Sequence, residues 1–361
     1  MISLIFKWLK SENCSSEESK RLGRLTRKAF GLTSKEYRKL LSWGREQENI
    51  LERLMSANEW DKIDFSKIPS KAGLIYRQAF ARRDILAKKY EAFAKDKTTK
   101  VNAEALYPQE IAERIFNSCG YGGWGRTILS ETDRLMLQKY WDNLKDFYNG
   151  REENGIAIVD VSGSMTGTPM NAAVSLGAYI AEKAHGPFAN HFITFSNHPQ
   201  LVKFKGVDIV DKFIRCSNAD WGGTTNLKAV FDLLLTTAKN QNTRVEDMPT
   251  RLYIFSDMEF DSCVSFNDKD SWGYCRMISE NSVQTGLESI KKKWAREGYK
   301  LPQVIFWNLN ARNNNIPAIG EGFSYVSGFS PSMIDCILTG KDGYDLMLEK
   351  LMSKRYEAVT A

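Results

Sequence analysis

The sequence predicts an α/β domain built on a doubly wound, mostly parallel sheet, preceded by an all-α helical domain. Three observations lead there. Short, nearly continuous apolar runs, GIAIVDV, NHFITFS, RLYIFSD and PQVIFWNL, all fall after Asn154 and read as strands buried on both faces. Segments of helical spacing separate them, the alternation that a parallel sheet needs. Before Asn154 no strand signal of any strength occurs, and helical patterns follow one another. The change of period divides the chain into a helical domain, 1–150, and an α/β domain, 151–361.

The elements follow in order. MISLIFKWLK has an apolar run too short for a signal-peptide core, and no small-residue cleavage site follows it, so it reads as a docked amphipathic start. In SSEESKRLGRLTRKAFG, Ser15 or Ser16 caps a helix with acids in its first turn, and Gly31 stops it. After Ser34, Tyr37, Leu40, Leu41, Ile50, Leu51 and Leu54 recur at helical spacing. Pro69 and Ser70 open the basic, amphipathic stretch KAGLIYRQAFARRDILAKKYEAFAK. YPQEIAERIF and, after Ser130, ETDRLMLQKYWDNLKDFY complete the helical layer. Within the α/β domain the helical segments are Pro169 to Lys183, Val207 to Ile214, Asn226 to Lys239 and Ser282 to Arg296, with a last one from Tyr344 to Tyr356.

At 361 residues, 42% hydrophobic and 26% charged, the chain can bury a sizeable core. Its net charge of +6 is uneven. Residues 1–150 hold 28 Lys and Arg against 20 Asp and Glu, an excess of eight, while the remainder holds 22 against 24. A basic helical part suits a polyanionic partner, although a solvated face carries the same composition. The six cysteines are scattered with no CxxC pair, which fits reduced thiols in the cytoplasm, and three histidines argue against a zinc site. No apolar stretch is long enough to span a membrane.

Ligands of open α/β sheets sit beyond the carboxyl ends of the strands. Three loops fall there. IVDVSGSM puts Asp160, Ser162 and Ser164 just after the first strand; GGTTN, residues 222–226, precedes a helix; and IFSDMEFD ends another strand at Asp257. Hydroxyls and carboxylates of this kind suit Mg²⁺, which wants six hard oxygen ligands and keeps several waters. With Ser162, Ser164 and a threonine, Thr224 or Thr225, binding directly and Asp160 and Asp257 holding waters, an ion would keep a position for an outside carboxylate or phosphate. Mn²⁺ accepts the same oxygens.

This constellation resembles the metal-ion-dependent adhesion site of von Willebrand factor A domains. Asp160, Ser162 and Ser164 match the DxSxS motif, Thr225 matches the loop threonine that precedes Asn, and Asp257 matches the late aspartate after a buried strand. The α/β part is thus identified as a von Willebrand factor A domain. The stretch WDKIDFSKIPSKAGLIYRQAF, with IFSDMEFD, VIFWNLN and SGFS, is similar to uncharacterised Ro-related, TROVE-like proteins and more distantly to the Ro ribonucleoprotein family. In Ro proteins a ring of helical repeats binds misfolded and small noncoding RNAs and the A domain closes the ring. The helical part here is much shorter, so of this the resemblance implies RNA association but not a complete ring.

Candidate RNA contacts are Arg24, Arg27, Lys28, Lys35, Arg38 and Lys39, then Arg77, Arg82, Arg83, Lys88 and Lys89. In the glycine-rich loop NSCGYGGWGR, Tyr121 and Trp124 would stack bases while Arg126 meets a phosphate, or the loop is a turn covering a core edge. The expected function is a divalent-cation-dependent binding or scaffold protein, engaging RNA through its helices and a partner's exposed carboxylate through its ion. A Mg²⁺-dependent phosphodiesterase or phosphatase using Asp160, Asp257 and Glu259 is the alternative, but no convincing general base accompanies it. A structural component of a larger assembly is a third. Glu259 and Asp261 read as loop-capping acids, and His185, His191 and His198 as structural residues with no nucleophile to serve.

Overall fold

A computed structural model describes residues 5–48, 50–120, 128–196, 198–219, 227–257, 280–310, 322–339 and 343–357. It forms two compact units, Met1–Asn102 and Ala103–Ala361.

The first unit is helical: α1 (Ile5–Trp8), α2 (Glu17–Ala29), α3 (Ser34–Gln47), α4 (Leu51–Ser56), α5 (Ser70–Arg82) and α6 (Asp84–Lys95). The amphipathic start is docked, as the sequence suggests. Phe6 occupies the notch at Gly44, where a Cβ would stand 2.1 Å from its ring. The Glu48 carboxylate accepts from the Phe6 and Lys7 amides at 2.8 and 3.0 Å, and Arg45 donates to the Phe6 and Leu9 carbonyls at 3.1 Å. Ser16 is the cap of α2, and a Thr33–Glu36 capping box starts α3.

Two stretches that read as continuous helices are broken. The first ends before Ile50, where Glu48 is committed to the N-terminus of α1 and the chain turns into α4. The second breaks at Arg83, which is extended and lays its guanidinium over the Trp60 ring at 4.6 Å. The break folds α6 back, so that Tyr90 meets Phe80 and Phe65 at centroid distances of 5.6 and 5.0 Å. Burying those rings outweighs the loss of one helical turn.

The second unit opens with α7 (Pro108–Cys119) and α8 (Glu131–Asp142), the latter capped by Ser130. It continues β1 (Gly155–Val159), α9 (Thr168–Lys183), β2 (His191–Thr194), β3 (Leu201–Lys203), α10 (Ile209–Ser217), α11 (Leu227–Asn240), β4 (Arg251–Ser256), α12 (Glu280–Arg296), β5 (Gln303–Asn308), β6 (Phe323–Ser327), α13 (Met333–Thr339) and α14 (Gly343–Leu351). The six strands lie in the order β3-β2-β1-β4-β5-β6. All neighbours are parallel except the antiparallel edge pair β2–β3, so the doubly wound, mostly parallel expectation holds.

Both faces of the sheet are covered. Ile156, Ile158, Leu252, Ile254, Val304 and Phe306 join Val230, Phe231, Leu234 and Trp294 of α11 and α12 in one core. On the other face β1 presents Gly155, Ala157 and Val159, small enough for α9 to come close. A Cβ at Gly177 of α9 would lie 2.5 Å from Val159 Cγ2. α7 packs on α9, and Arg134 of α8 grips Asp208 and Asp211 at the start of α10. Packing therefore joins α7 and α8 to the sheet, although the sequence period changes only at Asn154. Among the described residues no helix is long and apolar enough to cross a membrane.

Candidate functional site

β1 and β4 run side by side with Val159 opposite Phe255. The ladder extends one residue further, Asp160 N donating to the Phe255 carbonyl at 3.0 Å. This register sets Asp160 beside Ser256 and brings Asp257 to the same edge of the sheet. After Asp160 the chain leaves the sheet, and Ser162 leads into a tight turn, Gly163–Met165. Gly167, at φ 95°, then lets α9 start at Thr168.

The two carboxylates are nearly enclosed, Asp160 being 2% and Asp257 5% exposed. The Ser162 and Ser164 hydroxyls sit half-buried, 3.1 Å apart. The Ser162 amide donates to Asp160 Oδ1 and the Ser256 hydroxyl to Asp160 Oδ2, both at 2.8 Å. Burial pushes the Asp160 carboxyl above the usual carboxylate range, the bonds from Ser162 and Ser256 pull it back, and the Asp257 charge pushes it up again. Two enclosed acids beside two hydroxyls form an all-oxygen donor set with unfavourable like charge, the chemistry that a hard divalent cation relieves. The residues present therefore fit Mg²⁺ or Mn²⁺.

Four of the expected metal residues, Asp160, Ser162, Ser164 and Asp257, are thus brought to one edge of the sheet. Thr225 and its neighbour Thr224 lie outside the described residues, as do Glu259, Asp261 and Arg126. Ser256 was not among the expected residues. Only the pairing register identifies it, because nothing in IFSD says which strand lies opposite. His191 stands apart from the site, its Nδ1 2.8 Å from the Ala189 carbonyl, and burial lowers its imidazole pKa.

The first unit carries 23 Lys and Arg against 13 Asp and Glu. Of its expected RNA contacts, Arg24, Lys28, Lys35, Arg38 and Lys39 are exposed on α2 and α3, and Arg82, Arg83 and Lys88 at the α5–α6 junction. Arg77 does not belong with them. It is 4% exposed and donates to the Leu74 carbonyl at 3.2 Å, so no phosphate reaches it. Arg27 is committed to Glu12 and the Leu32 carbonyl, each at 2.8 Å, and Lys89 to the Ile63 carbonyl at 2.7 Å. Periodicity marks a residue as helical and basic but cannot tell which basic side chain closes its own helix.

Residues 154–359 match the model of a domain of unknown function, DUF7788. This chain belongs to the DUF7788 family. Residues 1–148 match the model of a second domain of unknown function, DUF2828, so the two models meet where the sequence changes period. The uncharacterized protein L728 of Acanthamoeba polyphaga mimivirus is 34% identical over 361 residues, covering 94% of this chain. The chain spans 58% of that relative's length. Among solved structures, the RO (RSR) protein of Deinococcus radiodurans is similar at 13% identity and a TM-score of 0.42, over 84% of this chain and 55% of that one. Likeness of that degree carries no argument about function.

Proposed function

We propose that this DUF7788 protein is a divalent-cation-dependent binding protein. Its sheet unit holds Mg²⁺ or Mn²⁺ through Ser162, Ser164, Asp160, Asp257 and the loop threonine Thr225, in the manner of a von Willebrand factor A domain. The observation that carries the reading is the enclosure of Asp160 and Asp257 at one sheet edge beside the paired serine hydroxyls. The ion supplies a Lewis acid for an anionic oxygen. Asp160, bonded through both its oxygens, holds its plane fixed, and the half-buried serines keep the rim open to a partner's carboxylate.

The helical unit associates with RNA as part of the same proposal. What supports this is its excess of ten positive charges and the exposed arginines and lysines of α2 and α3, which give salt-dependent, sequence-tolerant affinity. The Ro-related kinship belongs to the proposal too. So does a cytoplasmic site, which the free thiols of Cys14, Cys119, Cys216 and Cys336 support.

Calorimetric titration of the full chain with MgCl₂ and MnCl₂ tests the reading: the chain binds at submillimolar concentration and the Asp257→Ala variant does not. Equal heats from both proteins would refute the ligand set. Pull-down with and without EDTA, followed by sequencing of bound RNA, tests the partners, and turnover of phosphoester substrates by the clean protein would overturn the binding role in favour of an enzyme.

A further inference from the structure

The carboxyl edge of the sheet holds more buried polar groups than the cation site uses. Thr194 ends β2, Ser256 ends β4 and Asn308 ends β5, none more than 1% exposed. Two of them serve neighbouring loops. Thr194 Oγ1 accepts from the Gln200 amide at 2.9 Å. Asn308 donates to the Tyr325 hydroxyl at 2.8 Å and accepts from the Asn310 amide at 2.9 Å. Ser256 alone of the three turns to the site, its hydroxyl donating to Asp160 Oδ2 at 2.8 Å.

We propose that Ser256 is a positioning residue for the cation site, fixing the Asp160 carboxylate before any ion arrives. The inference rests on the binding role proposed above. Three features make Ser256 rigid enough for this. Its own strand is central, paired with β1 on one side and β5 on the other. Backbone bonds clamp its position: Asp160 N to the Phe255 carbonyl at 3.0 Å and Leu309 N to the Ser256 carbonyl at 2.9 Å. Its hydroxyl also completes a two-point grip, because the Ser162 amide holds the opposite carboxylate oxygen at 2.8 Å. A carboxylate gripped at both oxygens cannot rotate about its terminal torsion, which is otherwise broad. The remaining lone pairs then face fixed directions, and a cation or its water meets a pre-set acceptor. Partners of metal-site residues that act this way typically change affinity by about 10- to 100-fold when removed.

The test compares the full chain with Ser256→Ala and Ser256→Thr by calorimetric titration with MgCl₂ and MnCl₂, and by melting in EDTA. Ser256→Ala is expected to bind about 10- to 100-fold more weakly, with its EDTA melting temperature within a few degrees of the parent. Ser256→Thr, which keeps the hydroxyl, stays within about threefold. If the parent binds and Ser256→Ala matches it within about twofold, the positioning role is overturned and the cation site stands. Equal weakening of both variants also overturns it, since the effect would then be one of packing. A parent that takes up neither metal at millimolar concentration overturns the cation site and the positioning role together. Should Ser256→Ala not fold, Ser256→Cys, which replaces the hydroxyl by a slightly larger thiol and weakens the donor, is read by the same rule.

Discussion

Replacing Asp160 by asparagine is expected to change stability with opposite signs in the presence and absence of metal. Without a cation, Asp160 and Asp257 are two nearly enclosed acids at one sheet edge. Asp257 lies one residue beyond Ser256, the strand neighbour of Asp160. A spacing of about 4.8 Å between strands and a rise of about 3.3 Å along them put the two charges roughly 6 Å apart, where they repel by about 3 kcal/mol at an effective dielectric of 20. Asparagine removes the repulsion and the cost of burying a charge. It keeps an acceptor for the Ser162 amide, and the Ser256 hydroxyl can reverse to accept from the new amide. Weakening those two charge-assisted bonds costs about 1–2 kcal/mol. The net gain is about 1–2 kcal/mol, a rise of about 3–6 °C in the melting temperature for a unit of this size. With Mg²⁺ at about 100 times its dissociation constant, the parent instead gains about 2.7 kcal/mol that the variant cannot. Thermal melts in EDTA and across a MgCl₂ series measure both. An Asp160→Asn protein that melts well below the parent in EDTA, or that shows the same Mg²⁺-induced shift, would refute the reasoning.

Three more predictions follow from the packing and the charges. Arg134 pulls the Asp211 carboxyl below its usual value through a direct side-chain bond. That bond stabilises the fold above the unfolded aspartate pKa and is lost as the pH falls through the folded one. Arg134→Met should therefore cost about 1–2 kcal/mol at pH 7, and the deficit should narrow below about pH 4 in urea titrations run across pH. Gly177→Ala gains about 1 kcal/mol of helix propensity, yet sets a methyl 2.5 Å from Val159 Cγ2. A net loss of about 1–3 kcal/mol in urea unfolding is expected, and a gain would contradict the close seating of α9 on β1. For RNA, replacing Lys35, Arg38 and Lys39 together by alanine should lower the logarithmic salt slope of binding by about 2. Arg77→Met, at a buried position, should leave that slope unchanged in the same filter-binding series.

The pattern of the chain carried much of this. The apolar runs of β1, β2, β4 and β5 announce strands because residues buried on both faces leave no polar alternation to hide them. The cap of α2 was readable to within one residue, Ser15 or Ser16, and the start of α8 after Ser130, because the chemistry of a helix start is local. The helix breaks near Glu48 and at Arg83 were not, since each depends on a distant partner, Phe6 and Lys7 for one and the Trp60 ring for the other. The edge strands β3 and β6 carried no strand signal, because their half-buried faces lack continuous apolar runs. At the candidate site, Asp160, Ser162, Ser164 and Asp257 stood out by their places at strand ends. Arg77 was indistinguishable from exposed basic residues, as helical spacing does not say which face is covered, and nothing local shows that the Lys89 ammonium is tied to the Ile63 carbonyl.

By itself, then, the amino-acid sequence determined the class of each half, the order of the main elements and the polar residues that end the central strands. Those are consequences of burial periodicity and local hydrogen bonding, which act over a few residues at a time. Tertiary structure alone decided that β1 lies against β4 with Val159 opposite Phe255, that α7 and α8 pack with the sheet, and that Ser256 bonds Asp160. The reason is that strand register and helix docking are set by the fit of surfaces far apart in sequence, 96 residues for Asp160 and Ser256 and 74 for Arg134 and Asp208. In a strand, a one-residue slip would turn every side chain to the other face.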